Sequence, residues 1–274
     1  MKDLEPDLEE LCELVISVAD GCPDLKSGYT ADVTKKDDGS YVTKVDQALQ
    51  DALEQKLQNR CPEFGFIGEE MEHSDQVTIC NTSTNGYWVI DPLDGTTNFS
   101  SGFLCFGISV ALVVTGQPRL AVIYDPVRKE CFSAKAGGGA FMNGKKITCN
   151  QDQALNDCIA NVDYKRLVSE LAERLVRSPP YRSQRNLGSS VLEWCWLAAG
   201  RVQLYLHGGQ KLWDFAAGYL ILTEAGGAAT TLSGEALDCA SLKKRSVVAA
   251  VNPELLSQWS SWININQFDP DSPL

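Results

Sequence analysis

Trp88-Val89-Ile90-Asp91-Pro92-Leu93-Asp94-Gly95-Thr96-Thr97-Asn98 decides the reading of this chain. Three apolar residues of strand character run into two carboxylates three residues apart, so Asp91 and Asp94 fall where a strand ends and a turn begins. Pro92 fixes the backbone between them, and Gly95 lets the chain turn so that the amides of Gly95 and Thr96 can face an anion. Hard oxygen ligands of this kind suit Mg²⁺, which binds through a few carboxylates and keeps water or phosphate oxygens in its other positions. Either Asp-Pro or Asp-Gly alone is an ordinary turn dipeptide.

The same chemistry recurs outward from this stretch. Upstream, Phe66-Ile67-Gly68-Glu69-Glu70 sets another carboxylate pair at a strand end; downstream, Leu212-Trp213-Asp214-Phe215-Ala216-Ala217-Gly218 places Asp214 where a helix begins. Earlier still, Thr43-Lys44-Val45-Asp46 has the form of a capping box. Singly, Asp214 reads as a helix cap, and Glu69 and Glu70 as solvated loop charges. In combination, D-P-L-D-G-T-T-N after an apolar strand, G-E-E before it, V-T-K-V-D, and W-D-F-A-A-G followed by E-A-G-G resemble the inositol monophosphatase family of magnesium-dependent, lithium-sensitive phosphatases. The resemblance spans residues 39 to about 227, with the motifs in the family's order and spacing.

The resemblance implies a phosphomonoesterase that hydrolyses a small phosphorylated metabolite, inositol monophosphate first, by attack of a metal-activated water. Glu69, Asp91, the carbonyl of Leu93, Asp94 and Asp214 match the metal ligands, with Asp91 bridging, for two or three Mg²⁺ ions. Asp46 and Thr96 match the pair that orients and deprotonates the attacking water, with Glu69 beside it. Asp94, Gly95, Thr96 and Asp214, together with Ser189, Ser190 and His207, are the expected substrate contacts. The physics agrees, since paired metals lower the pKa of a bound water, clamp phosphoryl oxygens and stabilise the leaving alkoxide.

Inositol-specific relatives have a Glu seven residues before the W-D aspartate; this chain has His207 there. Leu187-Gly188-Ser189-Ser190 and the Lys-Asp-Asp-Gly-Ser stretch are closer to the family's 3′(2′),5′-bisphosphate nucleotidases, so 3′-phosphoadenosine 5′-phosphate is an alternative substrate. Fructose 1,6-bisphosphate is another, and a metabolite-sensing protein without turnover is the non-enzymatic one. Either serine also serves as a plain N-cap, and a histidine beside glycines as a loop hydrogen-bonder. Arg182, Arg185 and Lys211 lie in flanking loops where a second phosphate can be met. Gly139-Ala140-Phe141-Met142-Asn143-Gly144-Lys145-Lys146 nearly spells a nucleotide-binding P-loop, but position 146 is Lys where that motif needs Ser or Thr, and the context is a hairpin.

With 24 Lys plus Arg against 36 Asp plus Glu, the net charge is −12, and a nucleic-acid polymer or anionic membrane is not expected as partner. No signal-type or membrane-spanning run is found. Ten cysteines without a C-x-x-C pair read as reduced thiols of a cytoplasmic protein, and two histidines exclude a three-histidine zinc site.

Amphipathic spacing predicts helices over residues 4–19 and 45–57, the latter capped by Thr43, and strands at 64–67, 88–90, 107–114, 120–124 and 130–134 in a largely antiparallel sheet. Lys35 to Ser40 reads as a mobile Asp-Gly turn. The second half predicts helices at 167–176, 189–199, 214–225 and 254–263 with strands at 202–206 and 246–251, then a frayed tail. The fold class is α+β with α/β. The resemblance implies an alternating α-β-α-β-α sandwich: an amino-terminal α+β lobe (1–150) carrying most metal ligands, a carboxyl-terminal α/β lobe (151–274) carrying Asp214, and a homodimer.

Overall fold

The computed structural model describes residues 5–27, 33–35, 41–149 and 152–265. Of the turn expected over 35–40 only Lys35 is described, as the end of a strand, and of the frayed tail expected from 264 only residues 264–265, as the end of the last helix; the rest of both, and the lobe boundary near 150, lie outside the described residues. The first half runs α1 (Leu8–Asp20), α2 (Pro23–Ser27), β1 (Val33–Lys35), β2 (Tyr41–Thr43), α3 (Lys44–Arg60), β3 (Gly65–Gly68), α4 (His73–Thr82), β4 (Tyr87–Asp94), α5 (Thr96–Ser100), β5 (Gly107–Val114), β6 (Gln117–Asp125), β7 (Glu130–Lys135), β8 (Gly139–Met142) and β9 (Lys145–Ile147). The second runs β10 (Ile159–Asp163), α6 (Ser169–Arg177), β11 (Ser183–Arg185), α7 (Ser190–Ala198), β12 (Leu204–Gln210), α8 (Leu212–Glu224), β13 (Ala228–Thr230), β14 (Arg245–Ala250) and α9 (Pro253–Ile265).

β3 to β9 form a seven-stranded sheet in sequence order. Burial alternates along β4: Trp88 and Ile90 join the cluster formed with α1 and α3, whereas Tyr87 and Val89 join the one formed with α7 and α8. α1 starts at Asp7, whose carboxylate accepts from Glu9 N–H at 2.8 Å, and buries Leu11, Val15 and Val18. α3 starts at Thr43 and buries Val45, Leu49, Leu53 and Leu57. A five-stranded sheet, β11-β10-β12-β14-β13, covers the far side of α7 and α8, and α9 packs against β14. Helix, sheet, helix, sheet and helix therefore alternate, the layered α/β class anticipated from the sequence.

Three local differences have physical causes. The sheet is antiparallel except at its edge, where β3 runs parallel to β4 through the crossover helix α4; that helix is largely polar and buries only Gln76 among its described residues, so no apolar stripe announces it. Asp214 is the third residue of α8, not its cap: Lys211 is the N-cap and its N–H donates to Asp214 Oδ2 at 2.8 Å. The strand expected to stop at Leu206 continues as β12 to Gln210, through a register shift between His207 and Gln210, so His207 lies on a strand and not in a loop.

Candidate active site

In a regular strand Asp91 and Asp94, an odd number of residues apart, point to opposite faces. Here Asp91 lies opposite Ser109 and Asp94 opposite Gly107, so β4 carries one residue more than β5 between these pairs. Pro92, without an N–H for the ladder, sits inside this bulge, and the extra residue brings the second carboxylate back to the side of the first. Leu93 N–H donates to Asp91 Oδ1 at 3.1 Å. Gly95 then takes φ +93°, a left-handed conformation, and a Cβ there would stand 2.9 Å from the carbonyl oxygen of Cys105.

Asp214, from the first turn of α8, completes the cluster: Asp91, Asp94 and Asp214 each offer a carboxylate oxygen within 4.8 Å of the others. Glu69 follows β3, donates its N–H to the carbonyl of Ile90 at 3.1 Å, and places Oε1 3.6 Å from Lys211 Nζ. All four acids line a cavity of about 580 Å³. Burial, then the charges of Glu69, Asp94, Asp214 and Asp46, push the Asp91 carboxyl well above the usual range. Burial also raises Asp94 to about 7, against hydrogen bonds from Ser189 and Val191, and Asp214 to about 8, with Glu69 and Asp94 adding to it. Crowded, desolvated carboxylates that repel one another are a donor set for a hard divalent cation, which removes the repulsion, and the residues present fit Mg²⁺.

Asp46 is buried and reaches the cavity through Thr96. Its Oδ2 accepts from Thr43 N–H at 2.8 Å and from the Thr43 hydroxyl; its Oδ1 is 3.1 Å from Thr96 Oγ1, which is also 3.0 Å from the carbonyl oxygen of Leu93. Burial raises its pKa, with the Thr43 and Thr96 hydrogen bonds opposing.

Ser189 is fully buried, and its hydroxyl donates to Asp94 Oδ2, as does Val191 N–H at 3.0 Å, so the start of α7 holds Asp94 in place. Ser190 lines the cavity. His207 lines it too but is 4% exposed, with Nδ1 accepting from Gly209 N–H at 3.1 Å and Nε2 3.4 Å from Asp163 Oδ2. Neither Arg182 nor Arg185 lines the cavity, and Arg185 Nη1 is spent on Ser183 Oγ and the carbonyl of Gln184, each at 2.7 Å; Lys211 does line it. The glycine-rich stretch near residue 139 is the β8–β9 hairpin, and Glu224 takes the N–H groups of Gly137 and Gly139 at 2.7 Å.

Reading the sequence missed Asp163, Lys165, Arg166 and Glu193, all in the cavity wall. Glu193, raised to about 7 by burial, accepts from Leu187 N–H at 2.7 Å and so fixes the approach to Ser189. The one available signal was its place in α7, a full turn beyond Ser189 on the helix already assigned to the site.

A sequence model of the inositol monophosphatase family matches residues 7–263. Inositol monophosphatase 1 of Solanum lycopersicum is 32% identical over 271 residues, 95% of this chain and 97% of its own length. Nus factor SuhB of Xylella fastidiosa is 35% identical over 203 residues, 72% of this chain and 71% of its own. A solved dual-specific IMPase/NADP phosphatase bound with D-inositol-1-phosphate superposes with a TM-score of 0.81 at 26% identity, over 95% of this chain and 98% of that one. The chain belongs to the inositol monophosphatase family, hydrolases of phosphoric monoesters.

Proposed function

We propose that the chain is a Mg²⁺-dependent phosphomonoesterase acting on a small phosphorylated metabolite. The observation that carries this reading is the convergence of Asp91, Asp94 and Asp214 within 4.8 Å at the cavity. Glu69, Asp91, the carbonyl of Leu93, Asp94 and Asp214 would hold two or three ions. Bound Mg²⁺ supplies a more acidic water, a clamp on the phosphoryl oxygens and charge for the leaving alkoxide.

The chain's own residues do the rest. Thr96 lines the cavity, and in this reading its hydroxyl orients the attacking water, passing its proton to Asp46 Oδ1, 3.1 Å away, as it accepts one from that water. Burial raises Asp46 towards the operating pH, which suits a proton acceptor, and Thr43 keeps its other oxygen fixed. Gly95 and Thr96 border the phosphate, Ser189 keeps Asp94 turned inward, and Ser190 faces the leaving group. His207 contributes by shaping the wall, because both ring nitrogens are engaged within the protein. Inositol monophosphate is the reference substrate, on the strength of relatives so named, and Li⁺ inhibition, homodimer assembly and a cytoplasmic location belong to the same reading.

The test is Mg²⁺-dependent phosphate release from inositol 1-phosphate, adenosine 3′,5′-bisphosphate, fructose 1,6-bisphosphate and histidinol phosphate, with and without Li⁺. Turnover of at least one ester that needs Mg²⁺ and vanishes in Asp91→Asn is expected. Turnover that survives metal removal would overturn the reading, and so would stabilisation by Mg²⁺ without release from any ester.

A further inference from the structure

The cavity wall carries both signs of charge: the acidic cluster with Lys211 beside Glu69, and, around the end of β10, Asp163 with a group of cations. The carboxylates stand on the end of β4, after β3 and in the first turn of α8. Lys165 and Arg166 stand in the 3₁₀ turn Tyr164–Arg166 that follows β10, and Lys244 in the segment leading into β14. In a chain with 12 more acidic than basic residues, from 36 against 24, this concentration of cations runs against the composition.

The turn is firmly built. β10 and β12 pair in parallel with Asp163 opposite His207. Because Gly209 N–H donates to His207 Nδ1, the neutral ring carries its proton on Nε2, facing Asp163 Oδ2 at 3.4 Å. Asp163 Oδ1 accepts from Lys165 N–H at 3.1 Å and closes the turn. Gly208, in the β12 bulge, lies so close beneath it that a Cβ would overlap the carbonyl of Arg166. His207, Gly208 and Asp163 are thus used in clamping the turn, and what it presents to the cavity is positive charge. Arg166 meets Asp163 through Nε at 3.3 Å, and Lys165 makes no ion pair among the described residues.

We propose that the turn Tyr164–Arg166, clamped on the His207–Gln210 bulge, is a second anion subsite that takes a phosphate or carboxylate carried by the leaving group. This rests on the phosphomonoesterase reading: the scissile phosphate sits at the acidic cluster, and the second anion at Lys165 and Arg166. A phosphorylated polyol with hydroxyls alone leaves both cations facing water. The preferred substrates are therefore phosphomonoesters bearing a second anionic group.

Two matched pairs test it by kcat/KM for phosphate release: glycerol 2-phosphate against 2-phosphoglycerate, and adenosine 3′-monophosphate against adenosine 3′,5′-bisphosphate. The member with the added anion should lead by about tenfold or more in at least one pair, the scale of one hydrogen bond to a charged group; the pair that responds distinguishes carboxylate from phosphate. Lys165→Met should bring that ratio close to one, and Lys165→Arg should preserve it. In EDTA, adenosine 5′-monophosphate should bind more tightly than adenosine, and Lys165→Met should erase the difference. Equal kcat/KM within both pairs, or a preference untouched by Lys165→Met, overturns the subsite while leaving the phosphatase reading intact. No release from any ester overturns the phosphatase reading, and the binding comparison in EDTA then decides the subsite by itself.

Discussion

Asp91 accepts a hydrogen bond from Leu93 N–H and otherwise faces carboxylates: Glu69, Asp94, Asp214 and, more remotely, Asp46 all raise its pKa beyond what burial alone does. An amide at this position keeps the Leu93 bond through its oxygen, removes one charge from the cluster and leaves the packing of β4 unchanged. Asp91→Asn should therefore lower Mg²⁺-dependent phosphate release by more than about a hundredfold, beyond what losing an outer partner of a metal ligand costs, because Asp91 is itself one of the proposed ligands. In EDTA the same variant should unfold at a temperature equal to or above that of the parent, because repulsion is relieved. Circular-dichroism melting beside the phosphate assay separates the two effects. A variant that loses activity and melts well below the parent in EDTA would make Asp91 a structural residue instead.

Between residues and molecule stand the elements, and β12 shows what an element can hide. Its bulge brings Gly208 under the Arg166 carbonyl, a contact with no room for a side chain. Gly208→Ala should cost about 1–3 kcal/mol in urea unfolding, the usual penalty of overpacking, and displace the 164–166 turn. An unchanged urea midpoint would show that the bulge yields freely. None of this was legible in the sequence, where His207-Gly208-Gly209 has the composition of a loop and Ile159 to Asp163 is interrupted by Asn161 and Asp163. β11 is Ser183-Gln184-Arg185, polar throughout, so only its pairing with β10 makes it a strand. Where pattern and burial agree, the reading was sound: the Thr43 cap and the Val45, Leu49, Leu53, Leu57 stripe define α3, and the apolar run of β5 is buried along its whole length. The acidic cluster was readable because Glu69 and Asp94 lie at strand ends marked by a Gly, and Asp91 follows an apolar strand run and precedes Pro92. Its geometry was not, because the β4 bulge that turns Asp94 inward and the Ser189 hydroxyl that holds it depend on tertiary pairing.

At the scale of the molecule, the layered fold gathers acids from both sheets' neighbourhoods into one desolvated place and so makes stability depend on what neutralises them. Asp94 and Asp214 are raised from 3.8 to about 7 and about 8, and Asp91 rises in the same direction. An acid whose folded pKa lies above its unfolded one binds its proton more tightly in the native state, so its contribution is present at low pH and is lost as pH climbs through the folded value. Protein stripped with EDTA should accordingly lose stability from about pH 4 up to about pH 8, through these groups. Mg²⁺ replaces the protons at the top of that window. At 100 times its Kd, one ion adds about 2.7 kcal/mol, roughly 5–10 °C in melting midpoint for a chain of this size, and the gain should grow with pH between 6 and 8. Melting curves at pH 6, 7 and 8, in EDTA and in Mg²⁺, measure both trends. A gain from Mg²⁺ independent of pH would mean that the ion binds without displacing protons, and that the carboxylates are already ionised in the empty site.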